Sequence, residues 1–292
     1  MNRRGRLAPT PTGFLHVGHA YTFGIAAERA AGKLILRMED LDVTRCNPEF
    51  NAAAIEDLRW LGLSWIEGPD CGGDYGPYCQ SQRSDLYLLA WQQLAQQKVI
   101  YPSPQSRRDI DTAAFAPHVS VEGESVFPAA YRPNEWVVPE HPGCVPWRFR
   151  VPDGKTVEFV DKNFGLVKRI AGVDFGDFII WRRDSLAAYE LAVVVDDHHM
   201  NIDEVVRGED LLTSTARQLL LYEALGWKSP DFFHTNLVLD CNGERLAKRS
   251  HGMTIRELRR QGVAPEKVRN HSVEGLRISQ HDSPRPNKQS TL

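Results

Sequence analysis

The first hundred residues alternate short apolar runs with longer segments in which apolar positions recur every three or four residues. This alternation is typical of a parallel sheet whose strands are joined by crossover helices. Asn47 and Pro48 mark one helix start, because Asn is a favoured N-cap and Pro suits the first helical position. The pattern predicts, in chain order, a strand at 5–8, a helix at 18–31 ended by Gly32, a strand at 33–38, and helices at 48–61 and 84–97.

The pattern changes between residues 101 and 147, where Pro, Ser and Gly are frequent and few apolar positions are periodic. We interpret this segment as an inserted connective module. Beyond it the pattern predicts strands at 147–151 and 156–160, a hairpin of 177–181 with 188–195, a helix at 210–225 closed by Gly226, and a strand at 232–239. The predicted fold class is therefore α/β: a doubly wound parallel sheet with an inserted α+β module and a short helical C-terminal extension.

Composition narrows the class of protein. The chain has 292 residues, a net charge of -3 and five scattered cysteines with no C-x-x-C pair, which suit reduced thiols better than a disulfide framework. No apolar run approaches the length of a membrane span, and the basic N-terminus lacks a secretory apolar core. We therefore expect a cytoplasmic protein with no membrane partner. The lack of a G-x-G-x-x-G motif argues against a hydride-transferring enzyme.

Two short segments carry the strongest chemical signal: RLAPTPTGFLHVGHA near the N-terminus and GERLAKRS near the C-terminus. His16 and His19 stand at the start of a predicted helix, where backbone N–H groups and the macrodipole favour an anion. Gly18 between them has no side chain, so a nucleotide can lie against the backbone. Lys248 supplies a cation for a polyphosphate. We interpret the two segments as parts of one ATP-binding site.

Each part of this site has a plainer alternative. His16 and His19 could be metal ligands or ordinary helix-start residues, and Lys248 could belong to a solvated basic loop. A separate cluster, Asp196-Asp197-His198-His199, has the composition of a divalent-metal site.

The two segments, together with LILRMEDLD and AVVVDDHHMNIDEVVRGEDLL between them, resemble the class I aminoacyl-tRNA synthetases, and within that class the glutamyl branch. The resemblance extends from about Arg6 to about Val268. It implies a Rossmann-like nucleotide-binding catalytic domain that uses ATP with Mg²⁺. The chain departs from the family in two places. Thr10 stands where Ser is frequent, and the segment RLAKR replaces a pattern nearer K-[ML]-S-K-[SR]. The segment RLAKR still contains Lys248.

The resemblance also assigns roles to individual residues. His16, His19 and Lys248 are implied to be catalytic, and with Gly18 they are the implied ATP-binding residues. The implied glutamate-binding residues are Arg6, Leu7, Ala8, Pro9, Thr10, Glu39, Tyr189 and Arg207. The chemistry is consistent, since guanidinium groups match carboxylates and a buried carboxylate such as that of Glu39 matches an ammonium group.

The same resemblance suggests a domain plan. Residues 1–99 form the first half of the catalytic domain, 100–190 an inserted connective or acceptor-type module, and 191–242 the second half. Residues 243–270 hold the lysine loop and a short helical extension, and we expect 271–292 to be a disordered tail.

Little chain follows Ser250, whereas full glutamyl-tRNA synthetases continue into a long anticodon-binding region. The chain therefore resembles the glutamyl-queuosine tRNA(Asp) synthetases, which activate glutamate without tRNA and attach it to queuosine at the wobble position of tRNA(Asp). This implies glutamate, ATP and queuosine-bearing tRNA(Asp) as partners, and we expect a monomer. Three alternatives stay open: a truncated glutamyl-tRNA synthetase charging tRNA(Glu), a small-molecule ligase of the same superfold, and a noncatalytic nucleotide-binding paralogue.

Many members of that family bind zinc through a Y-x-C-x-C segment and a later Y-x-x-x-C. The corresponding stretches here run from Tyr101 to Gln105 and from Tyr131 to Glu135, and neither contains a cysteine. A structural zinc site needs about four N or S ligands. We therefore predict that the protein holds no zinc and has no dedicated metal site beyond the Mg²⁺ carried by ATP.

Overall fold

The computed structural model describes residues 3–105, 126–239, 254–270 and 277–279. The helices are α1 (Val17–Ala30), α2 (Pro48–Trp60), α3 (Ser84–Gln96), α4 (Tyr189–His199), α5 (Leu212–Leu225), α6 (Ile255–Arg260) and α7 (Pro265–Arg269). The strands are β1 (Gly5–Leu7), β2 (Leu34–Leu36), β3 (Ile100–Pro102), β4 (Trp147–Phe149), β5 (Thr156–Asp161), β6 (Gly165–Ile170), β7 (Phe178–Trp181), β8 (Glu204–Gly208), β9 (Asp231–Thr235), β10 (Val238–Leu239) and β11 (Arg277–Ile278).

Parallel strand pairs with intervening helices form the centre of the fold. Strands β1 and β2 are parallel and joined through α1, and β8 and β9 are parallel and joined through α5. The two pairs adjoin, because the backbone N–H of Asp203 donates to the carbonyl of Arg4 at 2.8 Å. This arrangement confirms the predicted α/β class.

A second, antiparallel sheet of order β3-β4-β7 comes from the segment interpreted as an insertion. Helices α3 and α4 cover it with an apolar core in which the Trp91 and Trp147 rings meet edge to face at 4.9 Å. Strand β5 also comes from the predicted range 100–190, yet it pairs in parallel with β9 of the central sheet. The insertion is thus joined to the catalytic half through a strand, while the domain boundaries themselves stay a prediction.

Local capping explains why the early helices are found where the sequence predicts them. The Asn47 side chain accepts from the backbone N–H of Glu49 at 2.9 Å, and Pro48 occupies the first turn of α2. At the end of α1 the left-handed residue is Ala31, with φ of 47°, followed by Gly32 at 88°. Gly226 ends α5 in the same conformation, as predicted.

The predicted hairpin of 177–181 with 188–195 is wrong in its second half. Residues 189–199 form helix α4, and β7 pairs with β4 instead. Residues 190–197 of α4 are all buried, so the helix lacks the polar stripe that would distinguish it from a buried strand. The predicted strand at 232–239 is broken into β9 and β10, and β3, β6, β8 and β11 were not predicted.

Two expectations fall outside the described part of the chain. Lys248 lies outside the described residues, as does most of the predicted tail at 271–292. The described part of that range, 277–279, includes strand β11, which pairs antiparallel with β10, in place of the expected disorder. Among the residues that are described, no helix has both the length and the apolar character needed to cross a bilayer.

Candidate active site

A cavity of about 480 Å³ lies where β1 and β8 end, beside the first turn of α1. Such an edge, outside the carboxyl ends of parallel strands, is where open α/β sheets bind ligands. Most of the sequence-predicted site residues line it: Arg6, Ala8, Thr10, His16, Gly18, His19, Glu39, Tyr189 and Arg207. The fold therefore brings together positions separated by two hundred residues of chain.

Three predicted site residues are placed differently. Leu7 is fully buried in an apolar cluster, and Pro9 is buried behind the cavity with its carbonyl accepting from Glu39 N–H at 3.0 Å. Lys248 belongs to the segment that is not described. The described chain on either side of that segment is at the cavity, since Val238 lines it and Thr254 forms a β-bridge with His16.

The first turn of α1 is capped by the imidazole side chains of His16 and His19. His16 is the N-cap, and its Nδ1 accepts from Gly18 N–H at 3.1 Å, while Nδ1 of His19 accepts from His16 N–H at 3.1 Å. The reciprocal arrangement is a capping box built from histidines. Because each Nδ1 accepts a backbone N–H, each neutral ring carries its proton on Nε2. The capping box therefore uses the backbone N–H groups of His16 and Gly18, two of the groups that the sequence argument offered to an anion.

Gly18 has a packing requirement besides its place in the cavity wall. A Cβ atom at this position would stand 3.0 Å from Cε1 and 3.1 Å from Nδ1 of His16. The two histidine rings are themselves close, with centroids 3.8 Å apart. Glycine therefore leaves room for the His16 ring, a role that the sequence argument did not include.

Arg207, on β8, is 4% exposed and is held by neutral groups. Its Nη2 donates to Thr215 Oγ1 at 2.7 Å and its Nε to His234 Nε2 at 3.3 Å. Its Nη1 lies 3.5 Å from the Tyr189 hydroxyl. A guanidinium held by neutral hydrogen-bonding groups at the cavity wall suits a substrate carboxylate.

Arg6, on β1, gives the cavity a second guanidinium. Its Nη1 donates to the carbonyl of Val206 at 2.8 Å, and its Nε lies 3.6 Å from Asp197. Glu39 supplies the opposite charge: it is 8% exposed and accepts from Arg37 at 3.1 Å. Burial raises the pKa of Glu39, and the neighbouring guanidinium groups of Arg37 and Arg6 oppose that shift.

The Asp196-Asp197-His198-His199 cluster does not form a metal site. Asp196 accepts from Arg83 at 2.6 Å and from Gln80 at 2.8 Å, and Asp197 accepts from Arg37 at 2.7 Å. The two histidines instead lie beside Trp227, with His198 stacked on its ring at 4.0 Å. Within the described ranges no group of His, Cys, Asp and Glu side chains is arranged to hold a metal ion.

The stretches that correspond to the zinc-binding segments carry a different set of contacts. Ser103 is buried and its hydroxyl accepts from Arg148 at 3.1 Å. Arg132, next to Tyr131, forms paired bonds with Asp177, with nitrogen–oxygen distances of 2.7 Å. These hydroxyl and guanidinium groups do not fit a zinc ion, so no step is assigned to one, and the absence of zinc stays a prediction.

Sequence reasoning missed several residues of the site. Thr22, Phe23, Val206 and the 236–238 segment also line the cavity, and Arg37 and His234 support it from behind. Their residue types are ordinary for a helix face or a strand, so the sequence contains no signal that separates them from core positions. Convergence in the fold is what identifies them.

Comparison with known proteins places this geometry among tRNA synthetases. The catalytic-domain model described as "tRNA synthetases class I (E and Q)" matches residues 3–279. The chain is 45% identical over 274 residues to the glutamyl-Q tRNA(Asp) synthetase of Symbiobacterium thermophilum, covering 91% of this chain and 84% of that protein. It is 46% identical to the enzyme of the same name from Nitratidesulfovibrio vulgaris, covering 89% and 82%.

A solved structure agrees with the sequence relatives. The glutamate-tRNA synthetase of Elizabethkingia anophelis superposes with a TM-score of 0.70 at 30% identity over 85% of this chain. The chain spans about half the length of that synthetase, 53%. The matched half has the same fold as the part described above.

Proposed function

Because this chain belongs to the class I glutamyl and glutaminyl tRNA synthetase family, we propose that it activates glutamate with ATP and transfers it to queuosine in tRNA(Asp). The observation that carries the proposal is one cavity lined by two imidazoles at a helix start and by two buried guanidiniums with a buried carboxylate. The first set suits a polyphosphate. The second suits an amino acid with an acidic side chain.

In the activation step, a carboxylate oxygen of glutamate forms a bond to the α-phosphorus of ATP. The bond from that phosphorus to the bridging oxygen breaks, and pyrophosphate leaves. Negative charge gathers on the phosphoryl oxygens, so catalysis depends on positioned donors. The Nε2–H groups of His16 and His19 are the donors on the helix side, and Lys248 is the cation that the sequence suggests for the pyrophosphate. Mg²⁺ enters bound to ATP.

Recognition of the amino acid uses the charged side of the cavity. Arg207 and Arg6 pair with substrate carboxylate, while Glu39 pairs with the ammonium group. Ala8, Thr10 and Tyr189 complete the wall. An uncharged amino acid would leave a buried guanidinium unpaired, which supports discrimination in favour of glutamate.

The choice of acceptor rests on the relatives, whose printed names specify tRNA(Asp) and which this chain covers over 82% to 84% of their length. A hydroxyl of the queuosine cyclopentenediol attacks the carbonyl of glutamyl-adenylate, and AMP leaves. A monomer acting in the cytoplasm is part of the same proposal.

The test supplies ATP, Mg²⁺ and labelled glutamate to the wild-type protein. We expect glutamate-dependent ATP–pyrophosphate exchange without tRNA, and label on queuosine-bearing tRNA(Asp) but neither on queuosine-free tRNA(Asp) nor on tRNA(Glu). Label on tRNA(Glu) would replace the proposal with a truncated glutamyl-tRNA synthetase. No exchange with any amino acid would favour a noncatalytic nucleotide-binding protein.

Variants test the phosphate side separately. His16→Ala, His19→Ala and Lys248→Ala are each expected to slow the exchange by ~10²-fold or more, as for other positioned donors. His199→Ala is the matched control, because His199 is exposed and does not line the cavity. An equal loss in the control would contradict the assignment.

A further inference from the structure

His234 is buried on β9 between Arg207 of the cavity wall and Asp161 of β5. Its Nδ1 is 2.7 Å from Asp161 Oδ2, and its Nε2 is 3.3 Å from Arg207 Nε and 2.9 Å from Thr215 Oγ1. The ring therefore joins a buried carboxylate to a guanidinium that lines the cavity. His234 itself does not line it.

The bonds fix the position of the ring proton. Arg207 Nε can only donate, so His234 Nε2 must accept. The ring proton is then on Nδ1 and is donated to Asp161. Thr215 Oγ1 accepts from Arg207 Nη2 at 2.7 Å, and its own hydrogen can go to Nε2 or to the Leu211 carbonyl at 3.1 Å. The bonds of the ring to Arg207 and to Asp161 are both satisfied by one tautomer, the one with the proton on Nδ1.

Asp161 is prepared to hold this tautomer. Besides the imidazole, its carboxylate accepts backbone N–H groups from Asn163 and Phe164 at 2.9 Å each and from His234 at 3.1 Å. Burial opposes ionisation of Asp161, but these bonds lower its pKa. Burial lowers the pKa of His234 and the Arg207 charge acts in the same direction, while the contacts with Asp161 and the Leu211 carbonyl only partly oppose that shift. The pair is thus an ionised carboxylate and a neutral imidazole.

We propose that His234 is a positioning residue for substrate recognition: through its unprotonated Nε2, and with its tautomer set by Asp161, it holds the Arg207 guanidinium in the orientation that meets a substrate carboxylate. This inference rests on the proposed function of Arg207. A proton on Nε2 would turn the acceptor into a donor facing the guanidinium, and Arg207 would lose its orientation. Asp161 belongs to the inserted range 100–190. Through His234 on β9 it thereby influences the orientation of Arg207 at the cavity wall.

Variants of His234 test the acceptor. His234→Leu removes it and is expected to raise the KM for glutamate in ATP–pyrophosphate exchange about 10- to 100-fold. The KM for ATP and the kcat at saturating glutamate should change by less than about threefold, because the phosphate side does not contact His234. His234→Gln can place an amide oxygen near the Nε2 position and should recover most of the glutamate affinity. The matched control is His199→Leu, at an exposed position outside the cavity.

Asp161→Asn tests the tautomer. The asparagine amide can donate to Nδ1 and thereby move the ring proton to Nε2, so this variant should raise the KM for glutamate as His234→Leu does. Thermal unfolding of each variant identifies loss of folding. Nitrogen-15 NMR of the wild-type histidines gives a readout that does not depend on activity: we expect His234 protonated at Nδ1 and unprotonated at Nε2 near neutral pH.

The outcomes separate the inference from the function. Normal glutamate exchange in the wild type with an unchanged KM in folded His234→Leu would overturn the inference and leave the proposed function standing. A proton on Nε2 in the wild type would overturn it as well. Lack of glutamate exchange in the wild type would remove the proposed function, and the inference with it.

Discussion

Arg37 and Arg207 are both buried guanidiniums close to one cavity, yet their partners are opposite in kind. Arg37 is fully buried and pairs with Asp197 at 2.7 Å, Glu39 at 3.1 Å and Asp196 at 3.7 Å. Arg207 is held only by uncharged groups among the described residues. Arg37 forms salt bridges with carboxylates, whereas Arg207 forms none within the described part of the chain.

The difference indicates which arginine is structural. A buried charge is costly unless it is paired, so an arginine without a carboxylate partner is retained where a ligand supplies one. Arg6 is intermediate, because its carboxylate neighbour, Asp197, is 3.6 Å away and shared with Arg37. We therefore propose that the salt bridges around Arg37 stabilise the fold, whereas Arg207 takes part in substrate recognition.

The largest effect is expected at Arg37. Arg37→Leu leaves buried carboxylates without their cation and should lower the free energy of unfolding by ~3–5 kcal/mol. Urea unfolding followed by circular dichroism measures it. Arg182→Gln is the control, since Arg182 is 36% exposed in its pairs with Asp42 and Asp184 and should cost less than ~1 kcal/mol. Equal losses in the two variants would remove the distinction between Arg37 and a surface arginine.

Sequence alone could not make this distinction. Arg37 lies within the strand segment LILRMEDLD, where nothing in the residue pattern shows that a charged side chain is fully buried. Its partners Asp196 and Asp197 were visible as an acidic cluster, but the same composition also fitted a metal site. Only the fold decides between a salt-bridge cluster and a metal site, because it places Arg37, just after β2, against Asp196 and Asp197 of helix α4.

Arg207→Lys should give the next largest effect, on substrate use instead of stability. A lysine keeps the charge but cannot reproduce the three-directional contacts to His234, Thr215 and Tyr189. We expect kcat/KM for glutamate to fall by about 30- to 1000-fold, equivalent to ~2–4 kcal/mol. Exchange kinetics at varied glutamate measure it. A large loss of stability with unchanged glutamate kinetics would place Arg207 in the same class as Arg37.

The sequence predicted the residues that line the cavity better than the residues behind them, such as Arg37 and His234, that hold them in place. The helix start was predicted from local signals, because capping residues and a glycine act over a few positions. The roles of Arg6, Glu39 and Arg207 came from family resemblance, since no local pattern shows that they converge. Helix α4 was mistaken for a strand because residues 190–197 are buried on every side.

Tyr189→Phe tests the weakest contact around Arg207. The hydroxyl is 3.5 Å from Nη1, at the limit of a hydrogen bond, so its removal should raise the KM for glutamate by about five- to tenfold, ~1–1.5 kcal/mol. Exchange kinetics provide the measurement, with the KM for ATP as internal control. An effect as large as that of Arg207→Lys would mean that the Tyr189 hydroxyl contributes as much to glutamate binding as the Arg207 guanidinium.

Asp57 extends the comparison to a buried carboxylate that has few partners and does not line the cavity described above. Neither carboxylate oxygen is hydrogen-bonded, and the nearest cation is Arg256 Nε at 3.4 Å, from helix α6. Burial raises the pKa of Asp57 to about 6 from 3.8. A carboxyl with a raised folded-state pKa favours folding only when protonated, so its contribution is lost as pH rises through 6.

Asp57→Asn should therefore stabilise the protein by ~1 kcal/mol at about pH 8, with the gain shrinking towards about pH 4. Thermal unfolding of both proteins across that range measures it. Asp57 has only this long contact with Arg256 and does not line the cavity, so removing its charge should help the fold, whereas removing the Arg207 fork should cost function. A destabilised Asp57→Asn at high pH would show that Arg256 compensates the carboxylate fully.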